Sequence, residues 1–280
     1  MKLKVIASLA VALTLSATLA GCASAQSEEP PAEVPEIVAP AEPEAPTVTE
    51  QPQIEEPVPE VNPPVVTPQI KTVSYITVTS DSVNFRSGAG TNYYVSGQAE
   101  KNTLYACLGE VNGWYKTYYK NKTVYISKKY CVIVDMQKGA DKIEDVIAEG
   151  TKLLGTPYVY GAVRVHDGKG NKLKGFTTSA FDCSSLMQYM FYKGADKLID
   201  VNTRTQIYQG TTVSRQNLKR GDLMFFTNAS RKNNKGIERV GHVAMYLGDN
   251  YILHTASDYA KIEKISSLRW SYFIQAQRMI

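Results

Sequence analysis

Cys183 heads an apolar, helix-like run in SAFDCSSLMQYMF, residues 179–191, with Asp182 before it and Ser184 and Ser185 after it. The chain has three histidines, His166, His242 and His254, and the last two fall twelve residues apart on segments that read as strands. A cysteine at a helix start with histidines on following strands can form a nucleophile and its base. A thiol titrates near about 8.5 when free, and a helix N-terminus or an adjacent imidazolium lowers that value. Cys183 is expected to gain the first effect from its helix and the second from His242. His254, from the next strand, is placed to hold the other imidazole nitrogen. The Cys183 backbone N–H, without a partner at a helix start, could donate to a developing oxyanion. Spacing alone leaves two alternatives open: a cysteine that only packs, and a zinc site using Cys183, His242 and His254.

These side chains need a scaffold. The run from Cys183 places Leu186, Met187, Met190 and Phe191 on one helical face, with Gly194 as the expected stop. An earlier helix is expected over IEDVIAEGTKLLG, with Asp141 and Glu144 at capping-box spacing and Gly155 and Pro157 ending it. After the second helix the pattern turns to strands, in GDLMFF, GHVAMYLGD, YILHTAS and YFIQAQRM. Helices followed by an antiparallel sheet make an α+β unit over 141–280. Residues 72–134 read instead as five or so short strands, with Asn112-Gly113 as a hairpin turn, which suggests a small barrel. Within it Cys107 and Cys131 either form a disulfide or pack as small hydrophobes. Trp114 and the tyrosines around it belong to its core or to a binding surface.

The amino-terminal part has a different character. MKLK followed by VIASLAVALTLSATLA has the form of a signal peptide, too short and too rich in small residues for a membrane span. It ends in LAGC, which resembles the bacterial lipobox, so residues 1–21 are expected to be removed and Cys22 to carry lipid. That anchors the protein to the membrane on its outer side. Residues 22–70 hold twelve of the thirteen prolines, interleaved with Glu, and are expected to form a disordered tether. At roughly 3.1 Å per residue it reaches ~150 Å when fully extended. With Cys22 lipidated, three cysteines remain, and an odd number in an exported protein points to a reactive free thiol. Residues 71–280 carry 29 Lys and Arg against 17 Asp and Glu, which favours polyanions such as anionic wall polymers. No nucleic-acid motif is present, and NGWYKTYYKNK reads as alternating strand faces.

The segment VNFRSGAGTNYYVSG…NGWYKTYYKNKTVYISKKYC resembles the bacterial SH3-like domain, a family that binds wall peptides or packs against a catalytic neighbour. GTPYVYGA, FDCSSLMQYMF, TRTQIYQG, LKRGDLMFF, GHVAMYLGD and YILHTAS resemble, in order, the NlpC-type cell-wall cysteine peptidases, papain-like enzymes of bacteria. The resemblance implies Cys183 as nucleophile, His242 as general base and acid, and His254 as the orienting member. It also implies that Tyr158, Asp182 and Ser184 line the acyl-side pocket, with Asp182 placed to meet an amino group of the substrate. No cofactor or metal is expected. The substrate implied is the peptidoglycan stem peptide, cut by a monomer at the bond between γ-D-glutamate and a diamino acid. An amidase cutting before L-Ala, an inert wall-binding lipoprotein and a thiol-dependent transferase are the rival expectations. The SH3-like domain is expected to hold wall peptide or to form one wall of the cleft. Two stretches depart from the family pattern: 162–181, where Ala162 replaces a usual glycine, and the basic 228–239. Both flank the site in sequence and are expected to reshape the cleft mouth. His166 falls in the first and is expected on a surface loop.

Overall fold

The structure, a computed structural model, describes residues 70–280. The expected leader, the lipidation at Cys22 and all but the last residue of the tether lie outside the described residues. The first half is all β: β1 (Thr72–Val78), β2 (Val83–Arg86), β3 (Val95–Ala99), β4 (Leu104–Ala106), β5 (Glu110–Val111), β6 (Trp114–Tyr119), β7 (Lys122–Ser127) and β8 (Cys131–Gln137). They form a three-stranded sheet in the order β4-β1-β8 and a five-stranded sheet in the order β3-β2-β7-β6-β5. Asn112 and Gly113 turn β5 into β6 with φ of 50° and 78°, as their types suggest. Lys120 and Asn121 make the same kind of turn between β6 and β7, with φ of 51° and 59°. The structure thus has eight strands where about five were expected. β2 is short, and β8 alternates poorly because most of its side chains are exposed, yet it pairs along the whole of β1. Cys107 and Cys131 are free, half-buried thiols packed against this core. Trp114 is half-buried.

The second half contains α1 (Asp141–Lys152), α2 (Cys183–Ala195), the short α3 (Thr203–Gln206), β9 (Thr211–Val213), β10 (Leu223–Phe226), β11 (His242–Gly248), β12 (Tyr251–Ala256), β13 (Tyr259–Lys264), the short α4 (Ser267–Ser271) and β14 (Phe273–Arg278). The six strands form one antiparallel sheet in the order β13-β12-β11-β10-β14-β9. α1 packs on α2, and α2 lies against β11 and β12. The α+β reading holds, with corrections at three points. Asp141 is the first helical residue of α1 and caps nothing; Ala140 is the N-cap. Glu144 reaches back one residue beyond the N-cap, where its Oε1 accepts the Gly139 N–H at 2.6 Å, and the same carboxylate is held by a buried guanidinium, Arg220. Gly194 does not stop α2, which runs on to Asp196 in the left-handed region. It is the point where α2 touches α1: a Cβ there would lie 2.5 Å from the Val146 Cα and 2.6 Å from the Asp145 carbonyl oxygen.

His166 is the third correction. It is fully buried, its Nδ1 accepts the Gly168 N–H at 3.0 Å, and its ring lies 5.3 Å from that of Tyr192. The 162–181 stretch is packed onto α2, where Phe176 stacks on Tyr189 and its neighbour Gln188 donates to the His166 carbonyl.

The two halves share one core. The Lys120 and Asn121 N–H groups donate to the Leu154 and Lys152 carbonyls at the end of α1, at 2.8 and 2.7 Å. These bonds satisfy carbonyls that a helix end leaves open. Gly155 follows with φ of 82°, and the Tyr119 ring occupies the space a side chain there would need. Arg220 ties three elements at once. It donates to both Glu144 carboxylate oxygens at 2.7 and 2.9 Å, to the Tyr75 hydroxyl at 2.6 Å and to the Leu247 carbonyl at 2.8 Å. Burial pushes the Glu144 carboxyl up, but the bonds and charge of Arg220 outweigh this and hold it below the usual range. Removing one partner of such a pair strands a buried charge. Arg220→Ala is therefore expected to lower unfolding free energy by about 3–5 kcal/mol in urea titration. A loss under about 1 kcal/mol would reduce the pair to the level of a surface ion pair.

Candidate active site

Asp182 is the N-cap of α2. Its Oδ1 accepts the Ser185 N–H at 2.8 Å, and Ser185 Oγ accepts the Asp182 N–H at 2.9 Å, a reciprocal capping box. This fixes Cys183 at the first helical position. β11 and β12 are joined by Asp249 and Asn250, with φ of 48° and 64°, so the two strands run back to back and their histidines share a face. His242 Nε2 lies 3.0 Å from His254 Nδ1, with the rings at 78°. His254 Nε2 lies 3.0 Å from Glu263 Oε1 on β13, and Arg269 Nη2 reaches the same carboxylate at 3.5 Å.

This series sets the tautomers. A carboxylate can only accept, so His254 carries its proton on Nε2 and presents a bare Nδ1. His242 then donates from Nε2, which leaves the lone pair of its Nδ1 free to take a proton. Both histidines are buried. Burial holds the His242 pKa well below its ordinary value, with the charges of His254 and Arg269 adding to the effect. Burial lowers His254 as well, against the raising effect of Glu263. Because the His242 and His254 nitrogens bond each other, they do not converge on a common metal position. Glu263 was missed in the sequence. The signal available was the alternation in YAKIEK, which puts Glu263 on the same strand face as Lys261, the cross-strand partner of His254.

The thiol departs from expectation. Burial pushes Cys183 up to about 12, with the charge of Asp182 acting in the same direction, against the backbone N–H groups of Val243, Ser184 and Cys183. At rest the site holds a neutral thiol and a neutral imidazole. A thiolate is therefore not standing ready at the helix start.

Cys183 lies where two cavities meet. One, of about 540 Å³, is lined by Tyr158, Asp182 and Ser184 among others; the second, of about 360 Å³, by Tyr158, His242, Ala256 and Arg269 among others. Every lining residue of both falls between 158 and 272, so the SH3-like half forms no wall of them. The structure therefore brings Tyr158, Asp182, Cys183, Ser184, His242 and His254 around one place, and puts His166 elsewhere. Asp182 is not free for an amine, however. Its Oδ2 accepts Arg164 Nη2 at 2.7 Å and the Gly161 N–H at 3.2 Å, and its side chain is 5% exposed. Arg164 comes from the 162–181 stretch, and its fit to Asp182 could not be read from spacing.

A cysteine on a helix facing histidines on an antiparallel sheet defines the papain-like α+β class. Residues 155–279 match the NlpC/P60 family and residues 81–131 the bacterial SH3 domain, so the chain joins an NlpC/P60 domain to a bacterial SH3 domain. It is similar to the peptidoglycan endopeptidase RipA of Mycolicibacterium smegmatis, 32% identical over 134 residues, covering 48% of this chain and 24% of that protein. It is also similar to a gamma-D-glutamyl-L-lysine dipeptidyl-peptidase of Bacillus subtilis, 29% identical over 161 residues, covering 58% of this chain and 47% of that one. The chain thus spans from about a quarter to about half the length of these curated relatives. Among solved structures it resembles an NlpC/P60 family protein from Bacillus cereus at 22% identity and a TM-score of 0.39, over 74% of this chain and 63% of that one.

A base must be neutral to accept a thiol proton, and the His242 pKa is depressed, so with His242 in that role iodoacetamide labelling of Cys183 should persist as pH falls through 6.5. It should fade only below that value. His242→Ala is expected to slow labelling at neutral pH by roughly 10²-fold. Glu263→Gln, which leaves His242 in place but loosens the tautomer, should slow it by roughly tenfold. Labelling of His242→Ala at the wild-type rate, followed by mass spectrometry of the Cys183 peptide, would remove His242 as the base.

Proposed function

We propose that this protein is a peptidoglycan hydrolase, a cysteine endopeptidase that cuts stem peptides at the bond between γ-D-glutamate and a diamino acid. The observation that carries this reading is the hydrogen-bonded series Glu263, His254 and His242, which ends at the cavity shared with Cys183. Substrate carbonyl carbon is attacked by Cys183 Sγ as the thiol proton passes to His242 Nδ1. The Cys183 backbone N–H donates to the oxyanion. His242 then gives its proton to the leaving amine, which leaves an acyl-enzyme, and takes a proton from the water that hydrolyses it. His254 stabilises the imidazolium formed at each step, and Glu263 offsets the charge that reaches His254. Tyr158 and Ser184 line the acyl-side pocket. The activities for which the RipA and Bacillus subtilis relatives are named agree with this substrate and, in the second case, with the bond.

The chain order we propose is a leader over 1–21, a tether over 22–70, the SH3-like domain over 72–134 and the peptidase domain over 141–280. The enzyme acts outside the cytoplasm as a monomer, lipid-anchored at Cys22, and its basic surplus favours anionic wall polymers. Full-length protein incubated with defined muropeptides is expected to release fragments split after γ-D-glutamate, and Cys183→Ala to release none. Fragments split before L-Ala would make it an amidase, and equal products from Cys183→Ala would end the thiol mechanism. Cys22→Ala should move the protein from the membrane to the soluble extracytoplasmic fraction; continued membrane retention would remove the anchor.

A further inference from the structure

The larger cavity beside Cys183 holds three guanidinium groups, Arg164, Arg204 and Arg231, and one carboxylate, Asp182. Arg164 and Asp182 cancel. Arg164 is further fixed by the Val201 and Ala162 carbonyls at 2.8 and 2.6 Å, so a substrate amine would have to displace a largely buried ion pair that makes four hydrogen bonds from Arg164 to reach Asp182. What remains to face the cavity is positive.

Arg204 comes from α3 and Arg231 from the basic 228–239 stretch. Both lean on a single carboxylate, Glu238, at 3.7 and 3.3 Å, and that side chain is 56% exposed and outside the cavity lining. Two guanidiniums thus share one solvated counter-charge. Arg204 Nε is buried without a hydrogen-bond partner, and Arg231 bonds through Nη1 alone, to the Glu238 carbonyl and carboxylate. Arg231 is also held close to the reacting groups. A Cβ on Gly241, the residue before His242, would lie 3.0 Å from Arg231 Cδ and 2.6 Å from Asn228 Nδ2. Planar donors with unused N–H groups and surplus charge match a carboxylate in shape and sign.

We infer that this cavity is an anion subsite in which Arg204 and Arg231 bind a carboxylate of the stem peptide, so that the enzyme selects its substrate by an acidic group and not by a free amine. The inference rests on the proposed peptidase reading and adds the recognition element to it. With the bond after γ-D-glutamate cleaved and this cavity on the acyl side, the carboxylate that qualifies is the α-carboxylate of γ-D-glutamate; the second carboxylate of diaminopimelate lies on the leaving amine and serves as the control.

The test uses full-length protein and four tetrapeptides, with the D-glutamate α-carboxyl free or amidated and the third residue diaminopimelate or lysine. Wild type is expected to lose about tenfold or more in kcat/KM when the D-glutamate α-carboxyl is amidated, and a loss seen only on exchanging diaminopimelate for lysine would overturn this placement. In the Arg204→Gln/Arg231→Gln double variant the ratio should fall to about threefold or less. Glu238→Gln removes the competing counter-charge from an exposed position, and should raise the ratio. Four substrates cleaved at equal rates by wild type, a ratio that survives in the double variant, or a ratio lowered by Glu238→Gln would each overturn the subsite. Absence of Cys183-dependent cleavage of all four would instead overturn the peptidase reading, and the subsite with it.

Discussion

The carboxylate of Asp182 is the constraint on which the site depends. Each of its oxygens accepts two hydrogen bonds: Ser184 Oγ and the Ser185 N–H on one, the Gly161 N–H and Arg164 on the other. A helix start leaves N–H groups open, and a single acidic side chain at the N-cap both closes one and sets the first turn. Here the same group also gathers in the 162–181 stretch through Arg164. The position of the thiol, the entry of α2 and the shape of the larger cavity therefore rest on one side chain. Its cost is electrostatic, because its charge acts on Cys183 against thiolate formation.

That cost is met on the opposite side of the cleft. Three strands supply Glu263, His254 and His242 in sequence, and each polar group fixes the proton position of the next. The buried pair of thiol and imidazole is neutral because a low-dielectric pocket penalises both charged forms. In the mechanism proposed above, charge appears only as the proton moves, within a set of groups already oriented to receive it. Such preorganisation costs no rearrangement at the moment of reaction.

Much of this was legible in the sequence, for reasons that can be named. Cys183 sat between a capping residue and an apolar helical face. His242 and His254 lay on strands whose alternation was plain. Elements with weak internal periodicity were not legible: β8 exposes most of its side chains, and the Lys120-Asn121 turn uses a residue type that seldom adopts positive φ. Partners distant in sequence were hidden altogether. Arg220 meets Glu144 across 76 positions and Arg164 meets Asp182 across 18, and neither spacing follows any local repeat. Capping-box spacing placed Glu144 at the helix start, where it does accept the Gly139 N–H, but could not show Arg220; nor could the resemblance that set Asp182 to meet an amine show Arg164. His166, in a stretch of glycines and lysines, looked exposed because a packing partner on α2 leaves no local trace.

The joint at Arg220 bears on how this architecture can be inherited or rebuilt. An SH3 barrel on a free linker is an interchangeable part, replaceable without consequence for its neighbour. This one is not. Exchanging it would deprive a buried guanidinium of the Tyr75 hydroxyl, the end of α1 of its two backbone donors, and Gly155 of the ring that fills its empty side. A chimera cut between Gln137 and Asp141 would part the chain at this seam; one cut upstream of Thr72 would carry the barrel and the NlpC/P60 domain together as a single heritable unit.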